Sequence, residues 1–141
     1  MTKIFYSIRF ILCFLLFTGF MSYSKTLHGN EFEDNPENTI LSYFHALKNG
    51  DVQKLNFLLI EPLLGSKIEL FEIDPNYGDF LRNYYQHANM FITDKTFSDD
   101  GNVCTITTSI FFESGGNPLI IQFYLKNTSE GWKISEEFTM E

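Results

Sequence analysis

Three segments in the first half of the chain place apolar residues at helical spacing. In the first segment, apolar residues recur every three or four positions and so form one face of a helix: Ile40, Tyr43, Phe44 and Leu47. Asn35 can cap the free N–H groups at its start, and Gly50 suits the left-handed residue that ends a helix. Asp51 can cap a second helix, which Pro62 ends. Residues 36–60 are therefore predicted to form an αα-hairpin.

The next segment does not have a clear period. Residues 63–73 show a short alternation around Ile68 and Leu70, so we predict a connector there, with or without a short strand or turn. Asp74-Pro75 repeats the cap-plus-proline pattern and predicts the start of a third helix. One face of that helix is apolar: Tyr77, Leu81, Tyr84 and Ala88.

After about residue 89 the apolar period changes from helical to alternating, which is typical of strands. Four strands are predicted, at residues 91–97, 103–113, 119–126 and 132–140. Because turns rich in Gly, Asn, Asp and Ser join them, we expect an antiparallel meander. Helices first and strands last predict the α+β class rather than alternating βαβ units.

The first 24 residues have the layout of a cleaved secretory signal peptide. Lys3 and Arg9 precede an uncharged apolar run at residues 10–21, and Ser22-Tyr23-Ser24 supplies small residues for cleavage. The run is shorter than a spanning helix needs, although an uncleaved anchor is the alternative. We therefore predict an exported protein, periplasmic or secreted, with no stable membrane anchor after cleavage. A flexible lead-in (residues 25–34) and one domain (residues 35–141) would follow.

Charge and composition narrow the classes of partner. Cleavage removes Lys3 and Arg9 but no acidic residue, so the formal charge changes from −8 to −10. An acidic chain lacks the clustered Lys and Arg that nucleic acids require, and anionic lipid surfaces would repel it. With 44% hydrophobic and 17% aromatic residues, the chain is too apolar to remain disordered. The single cysteine left after cleavage, Cys104, lies in an alternating strand, where we expect a buried thiol.

One cluster of polar aromatic residues is the candidate ligand site. Its members are Tyr43, Tyr84, Tyr85 and His87. These side chains can present hydroxyls and an imidazole to a small ligand, or they can pack the core with their polar tips at the rim. The histidines His28, His45 and His87 share no metal-binding spacing, and no phosphate-binding loop occurs. We therefore expect neither a metal nor a cofactor.

Two stretches resemble the nuclear transport factor 2-like (NTF2-like) superfamily. The first is the helix start at Asn35-Pro36 with Ala46 followed by Gly50-Asp51, and the second is Gly131-Trp132-Lys133-Ile134. Small exported members of this superfamily occur in bacteria. The resemblance implies that the N-terminal helices pack in the concavity of a curved antiparallel sheet of four or more strands, forming a cone. It also implies a homodimer, because members commonly pair through the sheet surface.

Two functions from different classes fit these features. The first is an exported, non-enzymatic binding module that holds a small apolar ligand or docks a protein partner, including inhibitor or immunity roles. The alternative is a small-molecule isomerase or hydrolyase that uses Tyr or His in the cone, as enzymes of the superfamily do. The strands carry acidic residues only near their ends, so the sequence identifies no catalytic residue. The binding module is therefore favoured.

Overall fold

Helix α1 (Pro36–Asn49) begins and ends where its sequence signals predict. The structure, a computed structural model, describes residues 34–140. At the start of the helix, Asn35 Oδ1 accepts a hydrogen bond from the backbone N–H of Asn38 at 2.8 Å. At the end, Gly50 adopts the left-handed conformation with φ 65°, which only glycine adopts without strain. The predicted signal peptide (residues 1–24) and most of the lead-in lie outside the described residues.

Three shorter helices follow α1. Helix α2 (Val52–Leu58) is capped by Asp51, whose Oδ1 accepts from the backbone N–H of Lys54 at 2.9 Å. Helix α3 (Leu63–Ile73) occupies the segment for which we predicted a connector, so that prediction is wrong. Helix α4 (Tyr77–Tyr85) begins two residues after the predicted Asp74-Pro75 start. None of the helices among residues 34–140 is long and apolar enough to cross a membrane.

The second half of the described chain forms a four-stranded antiparallel sheet that is curved and unclosed. Its strands lie side by side in chain order, as the predicted meander requires. Their bounds are β1 (Asn89–Phe97), β2 (Val103–Phe111), β3 (Leu119–Thr128) and β4 (Gly131–Met140). Four helices followed by this sheet confirm the predicted α+β class.

The hydrophobic core lies between the helices and one face of the sheet. Alternate residues of β2 are buried there, namely Cys104, Ile106, Thr108 and Ile110, while their neighbours are more exposed. From the helical side, Ile40 of α1 is fully buried and Leu55 of α2 is nearly so. The prediction that Cys104 is a buried thiol is confirmed, and burial raises its pKa, which keeps the thiol protonated and unreactive.

A β-bulge in β4 changes which side chains face the core. Leu125 pairs with Ile134 but its neighbour Tyr124 pairs with Glu136, so Ser135 is the extra residue. The Ser135 side chain is completely buried, and its hydroxyl donates to the carbonyl oxygen of Tyr124 at 3.1 Å. Because side chains alternate between faces, the bulge shifts that alternation by one residue and puts Glu137 on the core face.

Candidate functional site

A cavity of about 160 Å³ lies between the helices and the core face of the sheet. Side chains from all four helices and all four strands line it. Apolar and aromatic residues make up most of the lining: Phe44, Leu47, Leu55, Phe71, Leu81, Met90, Ile110, Leu119, Ile121 and Phe123. The remaining lining residues are polar: Tyr43, Lys67, Tyr77, Tyr85, Glu137 and Thr139. The cavity thus combines an apolar wall with a substantial polar region, as small-molecule sites do.

The polar region centres on the carboxylate of Glu137. Its Oε1 lies 2.5 Å from Nζ of Lys67, which α3 supplies. Its Oε2 accepts a hydrogen bond from the hydroxyl of Tyr43, in α1, at 3.0 Å. One carboxylate therefore joins two helices to the last strand within the cavity lining. We call Tyr43, Lys67 and Glu137 the polar triad.

Two of the cavity tyrosines have raised pKa values. Burial raises the pKa of the Tyr43 hydroxyl well above 10, and the negative charge of Glu137 adds to the shift. Burial also raises the pKa of Tyr85 to about 12, with smaller contributions from Tyr84 and Glu137. Both hydroxyls therefore stay protonated at neutral pH. In that state they donate hydrogen bonds and cannot act as general bases.

The structure brings together only some of the residues that the sequence placed in one site. Tyr43 and Tyr85 line the cavity. Tyr84 is 51% exposed and does not line the cavity; its ring packs against Phe80, Phe112 and the lining residue Tyr85. His87 is exposed and is not among the lining residues. The imidazole is therefore absent from this cavity.

The charged residues of the cavity are not evident from the sequence. The acidic residues of the strands lie near strand ends, without neighbours that predict burial, yet Glu137 lines the cavity. Lys67 was missed because its helix was predicted as a connector. An unbroken alternation of side chains along β4 would place Trp132, Ile134 and Phe138 on one face of the strand. Only the bulge at Ser135 reveals that Glu137 faces inward, and the sequence carries no evident signal for it.

No metal centre is formed by the side chains that the structure describes. Within residues 34–140, no three His, Cys, Asp or Glu side chains are grouped so that they could hold a metal ion. Glu137 is the acidic residue of the cavity lining, and Lys67 occupies one of its oxygens. The described lining offers hydrogen-bonding side chains and apolar surface to a ligand.

This chain is similar to known proteins in its fold, and the matches are to solved structures. No protein-family model matches it, and no curated protein matches its sequence. A solved SEC-C motif containing protein from Rhodopseudomonas palustris is similar with TM-score 0.52 and 16% identity, over 77% of this chain and 80% of that one. Bd1075 from Bdellovibrio bacteriovorus has TM-score 0.50 and 12% identity, over 73% of this chain and 38% of its own length.

A third similar structure is from the NTF2-like family. This protein from Streptomyces avermitilis is 19% identical, with TM-score 0.47, over 72% of this chain and 88% of that one. The three identities are too low to transfer a function. The class that the comparisons define is an α+β fold, and the ligand and activity have to be argued from the cavity.

Proposed function

We propose that this protein is a small exported binding module, NTF2-like in fold, that holds one small and mostly apolar molecule in its cavity. The observation that carries the proposal is the cavity of about 160 Å³ that residues of the hydrophobic core line together with the polar triad. Well-packed cores contain few voids larger than a water molecule, because each void forfeits dispersion contacts. A space of this size among core side chains is therefore a candidate ligand site.

The size of the cavity matches a ligand of about one ring. An apolar cavity of about 150 Å³ can hold benzene, whereas pockets for larger, drug-sized molecules are about 300–1,000 Å³. The lining agrees with this, since ten of its sixteen side chains belong to Leu, Ile, Met or Phe. A monocyclic compound would bury its apolar body against them.

A cavity-filling substitution tests whether the ligand binds there. Ile121 lines the cavity, whereas its neighbour Ile120 lies on the opposite face of β3. We expect toluene, as a probe, to raise the Tm of the unmodified protein and to shift NMR signals of cavity methyl groups. Ile121→Phe should abolish both effects, and the matched control Ile120→Phe should preserve them. If toluene changes neither Tm nor any cavity signal of the unmodified protein, the proposal is wrong.

Export can be tested together with the natural ligand. Native mass spectrometry of the protein purified from its own host would report the processed mass, the oligomeric state and any retained small molecule. We expect the loss of about the first 24 residues, as for a signal peptide, and an added mass in the range of a monocyclic compound. A full-length chain in the cytoplasmic fraction would contradict export.

The alternative function, an isomerase or hydrolyase, has less support. His87, its proposed acid–base residue, does not line the cavity. The raised pKa values of Tyr43 and Tyr85 keep both hydroxyls protonated, so neither can accept a proton from a substrate. These groups favour holding a ligand over moving its protons.

A further inference from the structure

The geometry of the polar triad points to a specific class of ligand. We infer that the molecule held in the cavity is a neutral single ring that carries a hydroxyl group, and that this hydroxyl binds to Lys67 and Glu137. The inference rests on the proposed binding function and adds the chemistry that selects the ligand. It depends on three properties of the cavity, which are its free hydrogen-bonding capacity, its charge balance and its size.

The polar triad retains hydrogen-bonding capacity for one more partner. An ammonium has three donors, and among residues 34–140 the ion-pair partner of Lys67 is Glu137. Each carboxylate oxygen can accept more than one hydrogen bond, and those of Glu137 hold one each, from Lys67 and from Tyr43. A group that both accepts from Lys67 and donates to Glu137 would use this capacity. A hydroxyl does both with a single atom.

The charge balance of the cavity favours a neutral ligand. Lys67 and Glu137 are the only charged side chains in the described lining, and they compensate each other. A carboxylate ligand would have to approach Glu137, and an ammonium ligand would have to approach Lys67. Either ion would also lose its hydration without a net opposite charge to replace it. A hydroxyl avoids both penalties.

The remaining lining selects the body of the ligand. A cavity of about 160 Å³ accommodates a six-membered ring with one small substituent. Phe44, Phe71 and Phe123 provide ring edges and faces around that space. The size and the aromatic lining therefore favour a monocyclic alcohol or phenol.

Phenol and toluene form the decisive pair of probes, because a hydroxyl and a methyl group have nearly the same size. Hydrogen bonds to charged groups contribute about 1.5–3 kcal/mol, which corresponds to about 10- to 150-fold in affinity. We expect titration calorimetry to give a Kd for phenol at least about 10-fold lower than that for toluene. Benzoate and benzylamine, as charged probes, should bind more weakly than phenol.

Removing both charges of the pair tests where the selectivity arises. In the double variant Lys67→Met/Glu137→Leu, which leaves no unpaired charge, the preference for phenol over toluene should shrink, because Tyr43 is the only member of the polar triad left to bind the ligand hydroxyl. The matched control is Lys95→Met/Glu37→Leu, which removes an ion pair of 2.6 Å outside the cavity. That control should keep the preference for phenol. If a variant fails to fold, the affinities of the unmodified protein for the four probes still show whether the cavity prefers a neutral ligand with a hydroxyl group.

The outcomes separate this inference from the proposed function. If toluene binds and phenol binds no more tightly, the cavity is a ligand site but the hydroxyl inference is wrong. Tighter binding of benzoate or benzylamine than of phenol would overturn the neutral class of ligand. If none of the four probes binds, the proposed function and this inference both fail.

Discussion

The Lys67–Glu137 ion pair offers a quantitative test of how burial governs the strength of a charge pair in this fold. Lys67 and Glu137 are 26% and 22% exposed, with N···O 2.5 Å. Two other pairs provide graded comparisons. Lys95–Glu37 has a similar distance of 2.6 Å but 35% exposure on both sides, and Arg82–Asp79, at 2.9 Å, is 51% and 66% exposed. The three pairs therefore differ mainly in their contact with water.

The expected coupling energies follow from that order. Exposed ion pairs contribute about 0.2–1 kcal/mol, whereas breaking a fully buried pair costs about 3–5 kcal/mol. The intermediate burial of Lys67–Glu137 places its coupling at about 1–2 kcal/mol, between these limits. We expect about 0.5–1 kcal/mol for Lys95–Glu37 and about 0.3–0.5 kcal/mol for Arg82–Asp79, which are three residues apart on one helix.

Double-mutant cycles measure these couplings directly. Each cycle compares the unmodified protein with a Met substitution of the basic residue, an amide substitution of the acid, and both together. Urea unfolding can be followed by the fluorescence of Trp132, which is the single tryptophan and lies in the core. Added salt should weaken the Arg82–Asp79 coupling most. Equal coupling energies for the three pairs, or the smallest value for Lys67–Glu137, would refute the reasoning.

Three further predictions concern the core, a turn and the pH dependence. Phe123→Ala should lower the free energy of unfolding by about 3–5 kcal/mol, because the ring is buried, whereas Phe138→Ala, on the exposed side, should lower it by less than about 1 kcal/mol. Gly50→Ala and Gly101→Ala both place Ala at positive φ, at a cost of about 1–2 kcal/mol. Gly50→Ala should cost more, because its Cβ would collide with the backbone of α4, while a Cβ at Gly101 meets open space. Stability should fall from pH 10 to about pH 12, because the unfolded chain ionises before Tyr85 does, and Tyr85→Phe should reduce that fall.

Each of these predictions has a contradicting result. Urea unfolding that gives equal losses for the two Phe variants would mean that the core is not centred on Phe123. Equal losses for the two Gly variants would mean that α4 does not approach the turn at Gly50. An alkaline stability profile that is unchanged in Tyr85→Phe would mean that this hydroxyl ionises equally in both states.

Helix α3 was not predicted because its sequence lacks a clear helical pattern. Its apolar residues do not form a single narrow face, and Leu63 is its only buried residue. Ile73 is 79% exposed. A contact distant in sequence, the Lys67–Glu137 ion pair, helps to hold the helix, and Phe71 packs against the Tyr77 ring of the next helix. Tertiary contacts leave no periodic pattern of apolar residues in the local sequence, so the segment was predicted as a connector.

Local chemistry was sufficient for the class of fold. The caps at Asn35 and Asp51, the left-handed Gly50 and the alternation in β2 act within a few residues, so the sequence alone predicts helices first and an antiparallel meander after them. The same local evidence selects Tyr43 and Tyr85 as candidate ligand residues, and the structure places both in the cavity lining.

The chemistry of the cavity was decided only by tertiary structure. One extra residue, Ser135, turns Glu137 toward the core, and α3 carries Lys67 to within 2.5 Å of it. The same packing leaves His87 outside the lining. A bulge and a helix docked across the fold depend on residues far apart in the chain, and hydrophobic periodicity records only which residues are apolar, not where a strand shifts its alternation.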